Sequence, residues 1–203
     1  WLPAVMRIVT WLYGGKMVIS GQSGIGWDDR NNLWCFPDYF IALSVFARNW
    51  AKKANLFVKV EYISNGVDTN KFTFSGKAIK TKLKKPIVLC AGALTKTKRI
   101  DLAIRAVAKL KNVDLLVCGD GDLRSEIYDL GSKILRDRFQ LIKVSYEDMP
   151  KVYRVANVFT LPSESYYSFE NVLVEAMATN LPVVANDDPI RREIVGDAGL
   201  FVD

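Results

Sequence analysis

"PIVLCAGALTKTKRIDLAIRAVAKLKNVDLLVCGDG", residues 86–121, decides the fold. Pro86 and Gly92 bound a short, continuously apolar run, which reads as a buried strand. Ile100, Ile104, Val107, Ala108 and Leu110 then recur at helical spacing, with Arg and Lys on the other face. "VDLLVCG" (113–119) is strand-like, apolar except at Asp114. Two near-continuously apolar strands around an amphipathic helix predict parallel strands in a sheet covered on both faces.

The same alternation runs to the end of the chain. "DLRSEIYDLGSKIL" (122–135) reads as a helix, "FQLIKV" (139–144) as a strand and "YEDMPKVYRVA" (146–156) as a short helix. "NVFTLPS" (157–163) is strand-like, "ENVLVEAMATN" (170–180) helical and "PVVAND" (182–187) strand-like. "PIRREIVG" (189–196) is a last helix and "AGLFVD" (198–203) a last strand. The expected fold class is α/β, with a doubly wound, Rossmann-like parallel sheet over residues 86–203. Ligands of such sheets bind beyond the carboxyl ends of the strands. Those ends are Gly92, Gly119, Lys143–Ser145, Ser163 and Asn186.

Upstream lies a different block. "WLPAVMRIVTWL" (1–12) reads as a buried helix, "KMVIS" (16–20) and "DYFIALS" (38–44) as strands, with "GQSGIGWDDRNN" (21–32) a long loop between them. "VFARNWAKKA" (45–54) is helical and "VKVEYIS" (58–64) is a strand. Asn65-Gly66 is a strong turn dipeptide. The predicted division is a partial Rossmann-like domain over 1–66, a linker over 67–85 and a complete one over 86–203. With no initiator Met or leader pattern, a chain opening inside a helix is expected to be a fragment.

Half of the 203 residues are hydrophobic and a quarter charged, which is a soluble globular composition. Charges interrupt every apolar stretch too early for a membrane span. Net charge is +6, and the run "KAIKTKLKK" (77–85) holds part of it. A solvated basic surface is one reading; attraction to anionic lipid or phosphorylated ligands is another. No aromatic residue is interleaved there, so nucleic acid is not an expected partner. Cys35, Cys90 and Cys118 lack metal-ligand spacing and fit a reducing, cytosolic setting. The absence of histidine excludes a Ser-His-Asp triad and a histidine metal site within this chain.

Three stretches carry candidate chemistry. "GDGDL" (119–123) follows a strand, but Arg124 stands where a dinucleotide fingerprint needs its third glycine. Asp120 and Asp122 read as helix-capping acids or, less simply, as a metal-binding pair. In "GALTKTKR" (92–99), Lys96, Lys98 and Arg99 oppose the dipole of the helix they precede. They are surface lysines or, with that helix start, a phosphate holder. In "SFENVLVEAMA" (168–178), Ser168 can cap, and Asn171, Val172 and Leu173 present first-turn N–H groups. Val172, Ala176 and Met177 are expected to face the core. Glu175, four residues after Asn171 on one helix face, sits among apolar neighbours. It needs either an Arg or Lys partner or a ligand's hydroxyls.

These pieces fall in one order: "NGVD" (65–68), Gly92 with Lys98 six residues on, "LPSES" (161–165), "VLVEAMA" (172–178), "PVVAND" and "REIVGDAGLFVD" (192–203). Over roughly 60–203 the chain resembles the group 1 family of retaining glycosyltransferases, which have the GT-B fold. Residues 1–59 resemble the later part of that family's N-terminal, acceptor-side domain, best at "PDYFIALS" (37–44).

The resemblance implies two Rossmann-like domains facing across a cleft, the C-terminal one binding a nucleotide-sugar donor. It implies a hexosyltransferase-type reaction onto an acceptor hydroxyl with retention, without an essential metal or other cofactor. Glycan or cell-envelope polysaccharide synthesis is the implied setting. The location would be cytoplasmic, with the inner face of the membrane one setting, and a glycan or lipid-linked acceptor the partner. By the same resemblance Lys98 neutralises the donor diphosphate beside Gly92 and Glu175 holds the ribose hydroxyls. The N–H groups of Asn171 and Val172 receive phosphate, and Val144 lies near the base.

Four positions depart from the family pattern. Ala93 stands where Arg is usual, Tyr167 where an acid precedes Glu175 by eight residues, and Glu170 where a glycine is usual. Gln22 stands near the position of a frequent histidine. Glu164 or Glu170 is expected to replace the missing acid as partner to sugar hydroxyls, Glu170 being preferred. The alternative left open is a GT-B-like protein that binds nucleotide sugar or glycan but transfers poorly. A different nucleotide-sugar enzyme, such as an epimerase, is a third.

Overall fold

Apolar runs too short for helices become strands, and the amphipathic stretches between them become the helices that cover those strands. A computed structural model describes residues 2–164 and 168–202. It divides into two units: the chain up to Asn65 with Asp188–Ile194, and Gly66–Glu164 with Glu170–Asp187 and the residues from Val195 on.

The first unit contains α1 (Leu2–Leu12), β1 (Val18–Gly21), α2 (Trp27–Trp34), β2 (Tyr39–Ala42), α3 (Val45–Ala54) and β3 (Lys59–Tyr62). The strands form a parallel sheet in the order β1-β2-β3. Leu33, Phe40, Ala42, Ala51, Val58 and Val60 make its core. Ser44 caps α3 through a 2.9 Å bond from Ala47 N–H. The carboxylate of Glu193 takes the N–H of Val45 at 2.7 Å, satisfying another donor at that helix start. Residues 21–32 are not wholly a loop, as the sequence predicts, because α2 occupies their second half. Asp28 and Asp29 lie in its first turn, where acids suit the dipole, and Leu33 anchors it in the core.

Where the sequence predicts a buried helix, α1 buries no residue, and Trp11 and Tyr13 are 76% and 86% exposed. It is tied down through Asp38, whose carboxylate takes Arg7 at 2.8 Å, Lys16 at 3.1 Å and the N–H of Met17 at 2.9 Å. These donors hold the Asp38 carboxyl well below the usual carboxylate range.

The second unit is built on β4 (Ile87–Ala91), β5 (Asp114–Cys118), β6 (Phe139–Ile142), β7 (Val158–Leu161), β8 (Val183–Asn186) and β9 (Gly199–Val202). All pair in parallel, in the order β6-β5-β4-β7-β8-β9. Between them come α4 (Ile100–Ala108), α5 (Arg124–Leu135), α6 (Met149–Tyr153) and α7 (Asn171–Ala178); α8 (Pro189–Val195), which precedes β9 in the chain, belongs up to Ile194 to the first unit. Ile100, Ile104 and Val107 of α4 and Ile127 and Leu135 of α5 pack on Cys90, Leu115 and Val117 of the sheet. Burial pushes the Cys90 thiol up to about 12, as suits an inert core residue. Strand order reverses beside β4, which places the switch point between the ends of β4 and β7.

Residues 66–85 do not hang free as a linker would. Phe72 and Leu83 are buried. Arg154 reaches the carbonyls of Thr73, Lys77 and Lys71 at 2.8, 3.1 and 2.8 Å. Ile79 N–H bonds Lys151 O at 3.0 Å, Thr81 bonds Gln140 at 2.6 Å, and Lys84 N–H bonds Asp114 at 2.7 Å. The segment is a strap along the second unit, with Lys77, Lys80, Lys82, Lys84 and Lys85 turned to solvent.

Candidate functional site

At the carboxyl ends of β4, β5 and β6 the second unit holds a cavity of about 350 Å³. Gly92 and Ala93 line it from the end of β4, Gly119 and Asp120 from β5, and Lys143 and Val144 from β6. Val172 and Glu175 close it from α7.

Backbone packing explains the glycines at its rim. A Cβ on Gly119 would fall 1.9 Å from the carbonyl oxygen of Gly92. Gly121 has φ +153° and lies against the backbone of Leu94. Leu94 N–H bonds Asp120 O at 2.9 Å, and Leu123 N–H bonds Leu94 O at 3.0 Å. "GDG" thus fastens two loops together. The capping expectation for Asp120 and Asp122 fails, because α5 starts only at Arg124 and takes no side-chain cap. Asp120 instead pairs with Lys143 at 2.6 Å on the cavity rim, and that ammonium holds its carboxyl below the ordinary range.

Lys98 ends a single 3-10 turn, Lys96–Lys98, that follows β4. Its stem runs past Gly92, 4.0 Å from where a Cβ would stand. Its ammonium donates to both carboxylate oxygens of Glu170, at 2.8 Å each. Ser163 Oγ adds a 3.3 Å bond to Glu170 Oε1. Glu170, not Ser168, is the residue preceding the first helical position of α7, and its side chain makes no capping bond. Glu164 reaches the same turn through its backbone, its N–H bonding Thr97 O at 2.8 Å. Asn171 and Val172 open the first turn of α7, the end of the helix toward which its N–H groups point. Tyr167 lies outside the described residues.

Glu175 is buried at 6% exposure. Its carboxylate is met not by an Arg or Lys but by Tyr153, whose phenol donates at 2.7 Å. Tyr146, also lining the cavity, turns a second phenol to the carboxylate. Burial pushes the Glu175 carboxyl up, against the pull of the two phenols. Leu173, rather than Val172, is the core residue of this turn beside Ala176, because Val172 lines the cavity. Cys118 also lines it, its thiol pushed up to about 11 by burial.

The structure therefore gathers Gly92, Ala93, Val144, Val172 and Glu175 around one cavity, and Lys98 with Glu170 beside Gly92. Sequence reasoning missed Tyr153, Tyr146, Ser163 and the Asp120–Lys143 pair. For Tyr153 a signal existed: a tyrosine on the apolar face of a short helix must find a partner for its hydroxyl. Among the described residues no group of three or more His, Cys, Asp or Glu side chains is placed to hold a metal ion.

This arrangement offers hydrogen-bond acceptance from a diol at Glu175 and positive charge at Lys98 and the start of α7. The family described as "Glycosyl transferases group 1" matches residues 72–203. A phosphatidyl-myo-inositol mannosyltransferase of Mycolicibacterium smegmatis is 34% identical over 172 residues, 80% of this chain and 43% of that protein. In Campylobacter jejuni, N-acetylgalactosamine-N,N'-diacetylbacillosaminyl-diphospho-undecaprenol 4-alpha-N-acetylgalactosaminyltransferase is 31% identical over 150 residues, 71% of this chain and 40% of that one. The chain thus spans about two fifths of the length of these relatives. Among solved structures, HepE of Anabaena in complex with UDP and glucose superposes with TM-score 0.80 at 19% identity, covering 98% of this chain and 61% of that one. WaaG, a glycosyltransferase involved in lipopolysaccharide biosynthesis, superposes with TM-score 0.66 at 18% identity, covering 80% and 48%.

Proposed function

Since this chain belongs to the group 1 glycosyltransferases and carries part of a GT-B fold, we propose that its second unit is the donor half of an enzyme moving a hexosyl group from a nucleotide sugar to an acceptor hydroxyl with retention. The carrying observation is the cavity at the strand ends that sets the buried Glu175 carboxylate across from the Gly92 turn.

In this reading Glu175 accepts both ribose hydroxyls, and the base lies against Val144. The diphosphate meets Lys98 and the N–H groups of Asn171 and Val172. Charge builds on the diphosphate as the sugar leaves, and donors fixed in advance at a helix start stabilise that charge without reorganisation. Lys98 and the helix supply the positive charge, so no metal enters the proposal. Glu170, held by Lys98 and Ser163, receives a sugar hydroxyl in place of the acid that Tyr167 lacks. Ala93 adds no charge where the family pattern has Arg.

Relatives named for glycolipid and lipid-diphosphate acceptors support a lipid-linked or glycan acceptor and cell-envelope synthesis. The exposed lysines of the strap would suit contact with an anionic membrane face in the cytoplasm. Transfer requires the remainder of an acceptor-side domain, so the 203-residue chain alone binds donor without turning it over.

Isothermal titration of UDP- and GDP-sugars tests the donor site. Wild-type binding with loss in Glu175→Gln is expected; equal affinity of the two proteins refutes the assignment. A second reading, a GT-B-like binding protein of weak turnover, is favoured by one observation: Lys98 is already engaged by a carboxylate. A longer chain that binds donor but releases no nucleoside diphosphate with any acceptor would establish that reading.

A further inference from the structure

A carboxylate walled in by apolar groups persists as an acceptor only where donors face it. Glu175 meets that condition through Tyr153, which is fully buried and donates at 2.7 Å. The phenol has little freedom to turn away. Its ring lies 5.9 Å from Phe72 and 5.8 Å from Phe159, and the Val172 carbonyl lies 3.5 Å from its hydroxyl. Phe72, 1% exposed, also packs 5.7 Å from the ring of Tyr146. It belongs to the strap, and the strap is pinned by Arg154, the neighbour of Tyr153 in sequence. One buried aromatic thus backs both phenols that face Glu175.

We propose that Tyr153 is a positioning residue of the donor site: its phenol, wedged by Phe72, aims the Glu175 carboxylate into the cavity and keeps it a hydrogen-bond acceptor there. The proposal rests on the reading of Glu175 as the ribose-diol partner.

A diol donates two O–H groups, which an ionised carboxylate accepts and a protonated one accepts only in part. Burial drives Glu175 toward protonation and the phenols oppose it. Loss of the Tyr153 hydroxyl leaves burial less opposed, so the carboxyl protonates at higher pH and ligand binding weakens from the acid side. Tyr146 faces Glu175 from the turn before α6, and Asp68 stands near Tyr146. Cys118 faces from the end of β5 and Asp120 with Lys143 from the rim, while Lys98 and Glu170 meet at the start of α7. Burial keeps Cys118 neutral and Lys143 keeps Asp120 ionised, so neither imitates the Glu175 titration.

The test measures UDP and GDP affinity calorimetrically between about pH 5 and about pH 8 for wild type, Tyr153→Phe and Tyr146→Phe. The Glu175 carboxyl is followed by carbon NMR in the ligand-free proteins. Tyr153→Phe is expected to bind within about twofold of wild type at the upper end and about tenfold more weakly at the lower, the scale of one lost hydrogen bond to a charged group. Its carboxyl titration should move up in step, and Tyr146→Phe, at a more exposed phenol, should show a smaller displacement of the same sign. An equal loss at every pH with the carboxyl titration unmoved would overturn the proposal, since packing alone would then account for Tyr153. If the titration moves while neither nucleotide binds wild type, the donor assignment falls and the positioning of Glu175 stands.

Discussion

Lys98 Nζ stands 2.8 Å from each carboxylate oxygen of Glu170, an ion pair closed across 72 residues of chain. The side chains are 23% and 12% exposed, so solvent screens the pair less than a surface bridge. The cation proposed for the diphosphate is therefore engaged before any ligand arrives. Exchange of one acid for another at Lys98 sets the cost of binding an anion there.

Glu170→Gln removes that competition. UDP or GDP affinity should rise by about tenfold, the equivalent of ~1.4 kcal/mol and the scale of one charge-assisted hydrogen bond. The nucleotide sugar should gain less, because Glu170 no longer receives a sugar hydroxyl. Calorimetry with both ligands checks this; equal gains for nucleotide and nucleotide sugar would remove Glu170 from sugar recognition.

Glu175→Gln should separate binding from stability. The folded-state pKa of Glu175 is raised, so the native protein holds this proton more tightly than the unfolded chain. Stability from this group is thus greatest at low pH and falls as pH rises through the window between the unfolded and the raised value. The neutral amide avoids that loss. The variant should melt at a higher temperature than wild type near neutral pH while losing nucleotide affinity by roughly 2 kcal/mol. A lower melting temperature at neutral pH would mean that the phenol bonds outweigh burial.

Asp38 shows the opposite sign. Its folded pKa is lowered by the N–H of Met17, by Lys16 and by Arg7. The stability it supplies is present above the unfolded carboxylate pKa and lost as pH falls through the folded value. Asp38→Asn should therefore lower the melting temperature of the first unit at neutral pH and matter progressively less in strong acid. Hydrogen exchange should show α1 loosening first, because Arg7 loses its anchor and the helix has no buried residue to hold it. Unchanged protection of α1 would show that Asp38 is dispensable to it.

What could be read in advance follows from the range of the interactions. The parallel sheet was legible because burial on both faces makes β4 apolar at every position and β5 at all but Asp114, a purely local property. α2 was not, since "WDDRNNLW" has hardly any apolar period and rests on Leu33 alone for a fully buried anchor. Glu175 was singled out by its apolar neighbours, yet its partner Tyr153 lies 22 residues away and no spacing rule links them. The strap read as a linker because most of its bonds are made by its backbone N–H and carbonyl groups, which nearly every residue carries and no sequence advertises.

Arg154 supplies the last prediction. Its guanidinium serves three carbonyls of the strap, at Lys71, Thr73 and Lys77. Arg154→Ala leaves those acceptors to water and should cost about 2–3 kcal/mol, less than three full bonds because the segment is largely exposed. Exchange of the amides over 66–85 should quicken before that of β4 or β5. Because Phe72 rides on this strap and backs the phenols of Tyr146 and Tyr153, nucleotide affinity should fall as well, by about threefold to tenfold. Arg154→Lys lacks the planar fork whose three nitrogens each meet a separate carbonyl, and should restore little of either effect. Loss of stability with affinity fully retained would uncouple the strap from the Glu175 site.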